Sequence, residues 1–134
     1  MNIQKEYEKL YEHWLKEFQE LELTTLNQEI FNEYKKTRNF INDYREEKLD
    51  DLKEQILKSY KENFNFLFDD FMKIREIKII NSALTLKEIN LDFIIEAEKL
   101  LYQNLISAIK GYKKVKAIST YEEEVEFKSK KSTK

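Results

Sequence analysis

Proline is absent from this chain, and glycine occurs once, at Gly111. Tight turns and strand boundaries lean on these two residues, proline for its fixed φ and glycine for its freedom at positive φ. The first 110 residues carry neither, and such a stretch folds most readily as long helices joined by short polar loops. A length of 134 residues suits one domain with a single core. Charged residues make up 37% of the chain and aromatic residues 13%. That is too much apolar bulk for a disordered polyampholyte and too much charge for a membrane protein.

Several function classes drop out on composition. Cysteine is absent and His13 is the only imidazole, so disulfides, thiolate metal sites and cysteine nucleophiles are excluded, and a structural zinc has too few ligands. No apolar run approaches the roughly 20 residues of a spanning helix. The start, Met1 to Glu6, lacks a signal-peptide core, so the expected location is intracellular. The formal net charge is -2, which supplies no bulk positive field for nucleic acid. The charge is unevenly spread, with a net of -6 over residues 1–70 and +4 over residues 71–134.

Apolar periodicity places four helices. Tyr7, Leu10, Tyr11, Trp14, Leu15, Phe18 and Leu21 recur at steps of three and four and predict a helix over about residues 3–22. Thr25 and Gln28 read as a capping box, starting a second helix near Leu26 that carries Ile30, Tyr34, Ile41 and Tyr44. The charged Arg45 to Lys48 stretch is the expected turn. A long third series runs from Leu49 through Phe64, Leu67, Phe68, Phe71, Ile74 and Ile77 to Ile80, with apolar groups in several directions after Phe64. Thr85 and Glu88 read as a second capping box, starting a fourth helix at Leu86 that Gly111 would end or weaken. The expected fold is all-α, a four-helix antiparallel bundle with a long third helix. Residues 1–116 form the domain. Residues 117–134 form a flexible charged tail with a short strand-like piece at Val125 to Phe127. The apolar overhang of the third helix calls for a second chain to cover it.

Few residues suggest chemistry. Arg75 and Lys78 lie one turn apart in the most apolar helix. Their stems could pack while their heads meet Asp69, Glu76 or solvent, or they could anchor another subunit, or they could bind phosphate. With Phe64, Phe68 and Phe71 they make the candidate partner interface. His13 lies off the main stripe and reads as a surface residue. The adjacent carboxylates Asp50-Asp51 and Asp69-Asp70 point about 100° apart on a helix and read as solvated. There is no phosphate loop or nucleophile elbow, so no catalytic residue, metal site or cofactor is expected. Lys110, Lys113, Lys114 and Lys116 around Tyr112 form a candidate DNA contact; cations near a helix C-terminus are the simpler explanation.

The order of four segments resembles the helical domain of an archaeal GINS subunit, of the class in which that domain comes first. They are Trp14-Leu15-Lys16-Glu17 with Leu23-Thr24-Thr25-Leu26, then Glu29 to Tyr34, then Arg75 to Ile79 within Phe71 to Ile80, and last Leu84-Thr85-Leu86-Lys87-Glu88 leading to Phe93. The resemblance covers about residues 8–115. It implies a non-catalytic subunit of a heterotetramer built with a second GINS subunit. The complex would scaffold the replicative helicase in DNA replication by linking the MCM helicase and a Cdc45/RecJ-like protein, in the cytoplasm at nucleoid-associated replication forks. Residues 117–134 are too short for the β-domain that usually follows in this class. A nucleic-acid-binding helical regulator is the alternative role.

Overall fold

A computed structural model describes residues 2–44 and 50–132, with side chains through Tyr121. Its helices are α1 (Ile3–Gln19), α2 (Gln28–Asp43), α3 (Asp51–Leu84) and α4 (Glu96–Ser132), with a 3-10 turn at Leu91–Phe93. Among the described residues there is no strand. The all-helical architecture with a long third helix is as the periodicity predicts.

Three helices start on a side chain that accepts from a first-turn N–H. Asn2 accepts from Lys5, Asn27 from Ile30 and Asp50 from Lys53. Each satisfies a donor that the first turn cannot pair internally. The second start differs from expectation. Asn27, not Thr25, caps α2, and Gln28 accepts instead from Glu96 N–H across the fold. The predicted turn at Arg45 to Lys48, with Leu49, lies outside the described residues.

The core is built by Leu10 of α1, Tyr34 and Ile41 of α2, and Phe64, Leu67, Phe68 and Phe71 of α3, with Leu26 and Ile95 from the connecting segments. Phe31 stacks on Phe68, and Tyr34 meets Phe71 edge-on. Burial of each large apolar side chain stabilises by roughly 2 kcal/mol. Tyr7 meets Tyr60, the Trp14 indole donates to Asp70, and Glu17 meets Arg75. Helices α1 and α3 therefore run in the same direction. Helix α2 runs against them, with Phe31 beside Phe68 and Asn42 beside Asn65.

Helix α1 stops at Gln19, three residues short of the predicted end, because Lys78 captures the backbone oxygens of Glu17 and Glu22. Helix α3 runs on to Leu84 and overturns the second capping box. The Thr85 hydroxyl donates back to the carbonyls of Asn81 and Ser82, so it closes α3 rather than opening α4. Leu86 takes φ 54°, and the N–H groups of Lys87 and Leu86 donate to the carbonyls of Ser82 and Ala83. This is a Schellman closure with leucine where glycine is usual.

The chain then returns along α3 before helix resumes. The Phe93 carbonyl accepts from two donors, the Leu26 N–H and Arg75 Nη2. Helix α4 starts beside Arg75 through Glu98, and one turn later Tyr102 donates to the Lys87 carbonyl past the end of α3. It therefore advances toward that end instead of descending along the body. The antiparallel order holds for α1, α2 and α3, and the 85–95 return sets α4 apart. Gly111 does not end α4: its φ is not positive, the helix passes through it, and Val125 to Phe127 are helical rather than strand-like.

Candidate functional site

The strongest concentration of polar groups is a buried knot around Arg75, whose side chain is fully enclosed. Its Nε and Nη2 donate to the two carboxylate oxygens of Glu98, both at 2.9 Å. Its Nη1 donates to Glu17 Oε1 and to the Thr24 carbonyl, each at 2.7 Å. Lys78 donates to Glu17 Oε2 at 2.7 Å. Two cations face two carboxylates, and no buried side-chain polar atom among the described residues lacks a partner. The knot joins α1, the α1–α2 loop, α3, the Phe93 turn and α4.

Electrostatics follow from that enclosure. Burial alone would raise the Glu17 carboxyl, but the Lys78 ammonium, the Thr24 N–H and Arg75 together hold it below its ordinary value. Thr24 Oγ1 donates to Glu17 Oε1 at 2.9 Å. With its proton so directed, that hydroxyl accepts from His13 Nε2 at 2.8 Å. His13 Nδ1 must then accept from the Tyr34 hydroxyl at 2.7 Å. This assigns a neutral Nε2–H imidazole. Burial first, then the Arg75 charge, pushes the His13 pKa down from 6.5 to about 4. Burial, with the charges of Glu33 and Glu6, pushes the Tyr34 hydroxyl up to about 12.

Several sequence expectations are corrected here. His13 is half-buried rather than a surface residue, and both its nitrogens are committed to internal hydrogen bonds, leaving none to act as a base on a substrate. Arg75 meets Glu17 and Glu98 instead of Asp69, Glu76 or solvent. Phe64, Phe68, Phe71 and Arg75, candidates for a partner interface, are buried within this chain's own core. Lys78 is turned inward onto Glu17. The apolar groups that α3 leaves exposed are others, including Leu52, Ile56, Phe66 and Ile77. Asp70 is tied to the Trp14 indole and Asp69 lies near Arg38.

Glu17 and Glu98 are the residues that periodicity passed over. Both carried a legible signal. Glu17 continues the α1 apolar stripe three residues after Trp14, and Glu98 sits four after Ile94 on the buried face of α4. A carboxylate on an apolar face needs a cation, and Arg75 on the α3 apolar face is one.

Two clefts flank the knot. One, of about 550 Å³, lies between Leu21, Leu23, Lys87, Ile89 and Phe93. The other, of about 500 Å³, is edged by Lys9, Glu12, Lys16 and Glu33 outside His13. Among the described residues no group of carboxylates and histidine is placed to hold a metal ion, and no helix is long and apolar enough to cross a membrane. Lys110, Lys113, Lys114 and Lys116 are all exposed on α4, with the Lys116 ammonium 5.9 Å from the Tyr112 ring centroid. No protein-family model, curated protein or solved structure matches this chain.

Proposed function

We propose that this chain is a non-catalytic assembly subunit whose role is the one its resemblance implies, a GINS-type subunit that scaffolds the replicative helicase. Its partners would be a second GINS subunit, MCM and a Cdc45/RecJ-like protein at replication forks. One observation supports this most. Three of the four segments that carry the resemblance, distant in sequence, meet in one buried knot: Glu17 and Thr24 from the first, Arg75 and Lys78 from the third, and the Phe93 carbonyl from the last. The quoted motif residues thus hold elements in a fixed arrangement rather than present reactive groups. A rigid helical body with an outlying helix suits a part that other subunits pack against.

Coexpression of the tagged chain with a second GINS subunit from the same organism tests it, followed by capture of MCM and the RecJ-like protein from lysate. A stable complex with the second subunit is expected. Recovery of the chain free of every replication protein would remove the reading. The nucleic-acid-binding alternative draws on the four exposed lysines of α4. It predicts DNA affinity that falls steeply with salt, and an absence of binding at low ionic strength would remove it.

A further inference from the structure

We infer that the outer seam between α1 and α3 is a docking groove for one helix of a partner protein, apolar on the face it presents and carrying a single lysine or arginine there. That a partner subunit brings this helix rests on the assembly role proposed above; the groove and its chemistry belong to this chain.

At 100° per residue, ten residues of α3 from Leu52 to Leu84 share one arc of about 80° that includes Phe66, Asp70 and Ile77. Asp70 is the one charge among them, where the 37% of charged residues in the chain would place about four. Charge is kept off this arc, yet its apolar members stay in water: Phe66 is 63% exposed and Ile77 50%. Helix α1, parallel to α3, adds Tyr11 and Phe18, 43% and 65% exposed. Trp14 joins the two rows. Its ring lies 5.8 Å from that of Tyr11 and 5.7 Å from that of Phe18, and its Nε1 donates to Asp70 Oδ2 at 2.7 Å. Toward the start of α3 the seam opens into a cleft of about 530 Å³ between Tyr7 and Ile56, lined by no charged residue. Contiguous exposed apolar surface of this kind marks an interaction site. A groove with apolar groups on both helical walls takes a third helix by its i, i+3, i+4 and i+7 side chains.

Asp70 identifies the occupant. Among the described residues the Trp14 indole is its one donor, and no cation pairs with it. Covering this half-buried carboxylate with apolar surface alone would strip its water and put nothing in its place. The covering helix must therefore bring a cation to Oδ1. A second copy of this chain is the wrong cover. Two copies paired antiparallel about the middle of the strip, near residue 68, would set their Asp70 carboxylates within about 6 Å of each other along the helix axis, like charge against like charge.

Trp14 is the only tryptophan of the chain, so its emission reports on the groove. The probe is a synthetic helical peptide of about 20 residues, free of tryptophan, with leucine along one face and one arginine at the centre of that face. Titration should shift the Trp14 emission to shorter wavelength and saturate. Glutamate in place of the peptide arginine should weaken binding about tenfold, whereas Asp70→Asn should bind the two peptides alike. Phe66→Asp, at an exposed position outside the core, should abolish the shift. No saturable shift, equal affinity of the unaltered chain for the two peptides, or an undiminished response from Phe66→Asp would overturn the proposal. So would a chain that sediments as a dimer broken by Phe66→Asp. Coexpression separates this failure from failure of the assembly role. A second GINS subunit that binds the unaltered chain and Phe66→Asp alike refutes the groove alone, and one that binds neither refutes the role alone.

Discussion

Arg75 and Glu98 meet as a bidentate pair, Nε to Oε2 and Nη2 to Oε1, each at 2.9 Å, with the arginine side chain fully buried and the glutamate almost so. The pair fastens the start of α4 to the C-terminal third of α3. The same guanidinium holds Glu17 of α1, so one side chain fixes three helices.

Removal of that cation should be costly. Arg75→Met leaves two buried carboxylates short of their partner and is expected to lower stability by about 4 kcal/mol. Urea denaturation of the purified variant measures it. A loss near that of an exposed substitution, within about 0.5 kcal/mol, would mean that the knot is not closed in solution.

Acid should weaken the fold in two stages. The unfolded chain binds a proton at His13 as pH falls through 6.5, while the folded chain resists until about 4. Stability therefore declines across that window by on the order of 3 kcal/mol and loses no more from this group below it. Glu17 is held below 4.5 when folded, so its contribution is present above that value and disappears as pH falls through the depressed folded value. His13→Gln should flatten the upper stage alone. Urea midpoints against pH for the two proteins decide this, and parallel curves would refute the assignment.

The histidine tautomer is separately observable. Nitrogen NMR of imidazole-labelled protein at neutral pH should show a neutral His13 protonated at Nε2. Tyr34→Phe removes the donor to Nδ1 and should cost about 1 kcal/mol. A Nδ1-protonated ring would reverse the proton chain from Tyr34 to Glu17.

Gly111→Ala should strengthen the distal helix. With open space around the added methyl group, amide exchange near residue 111 should slow by about fivefold, the equivalent of roughly 1 kcal/mol. Unchanged protection would show that this part of α4 is not helical in solution.

Helix number and type were legible in the chain itself because they are local properties. Absence of proline, and apolar residues such as Leu10, Trp14, Phe64 and Phe71 at helical spacing, dictate helices whatever lies beside them. The ends of those helices were less legible, since Thr85 offers the same hydroxyl to the turn before it as to the turn after it. Only Leu86 entering positive φ, which a sequence does not display, settled that it closes α3. The candidate site was hidden for a related reason. Arg75 announced a buried cation, but its partners lie 58 and 23 residues away, and spacing along a chain carries no information about such distances. Local spacing along the chain is enough to make the protein helical and to set charges in need of partners on its apolar faces. Tertiary structure alone decided that Glu17 and Glu98 supply them and that His13 is neutral. It also turned α4 outward, because those outcomes depend on which surfaces meet and exclude water.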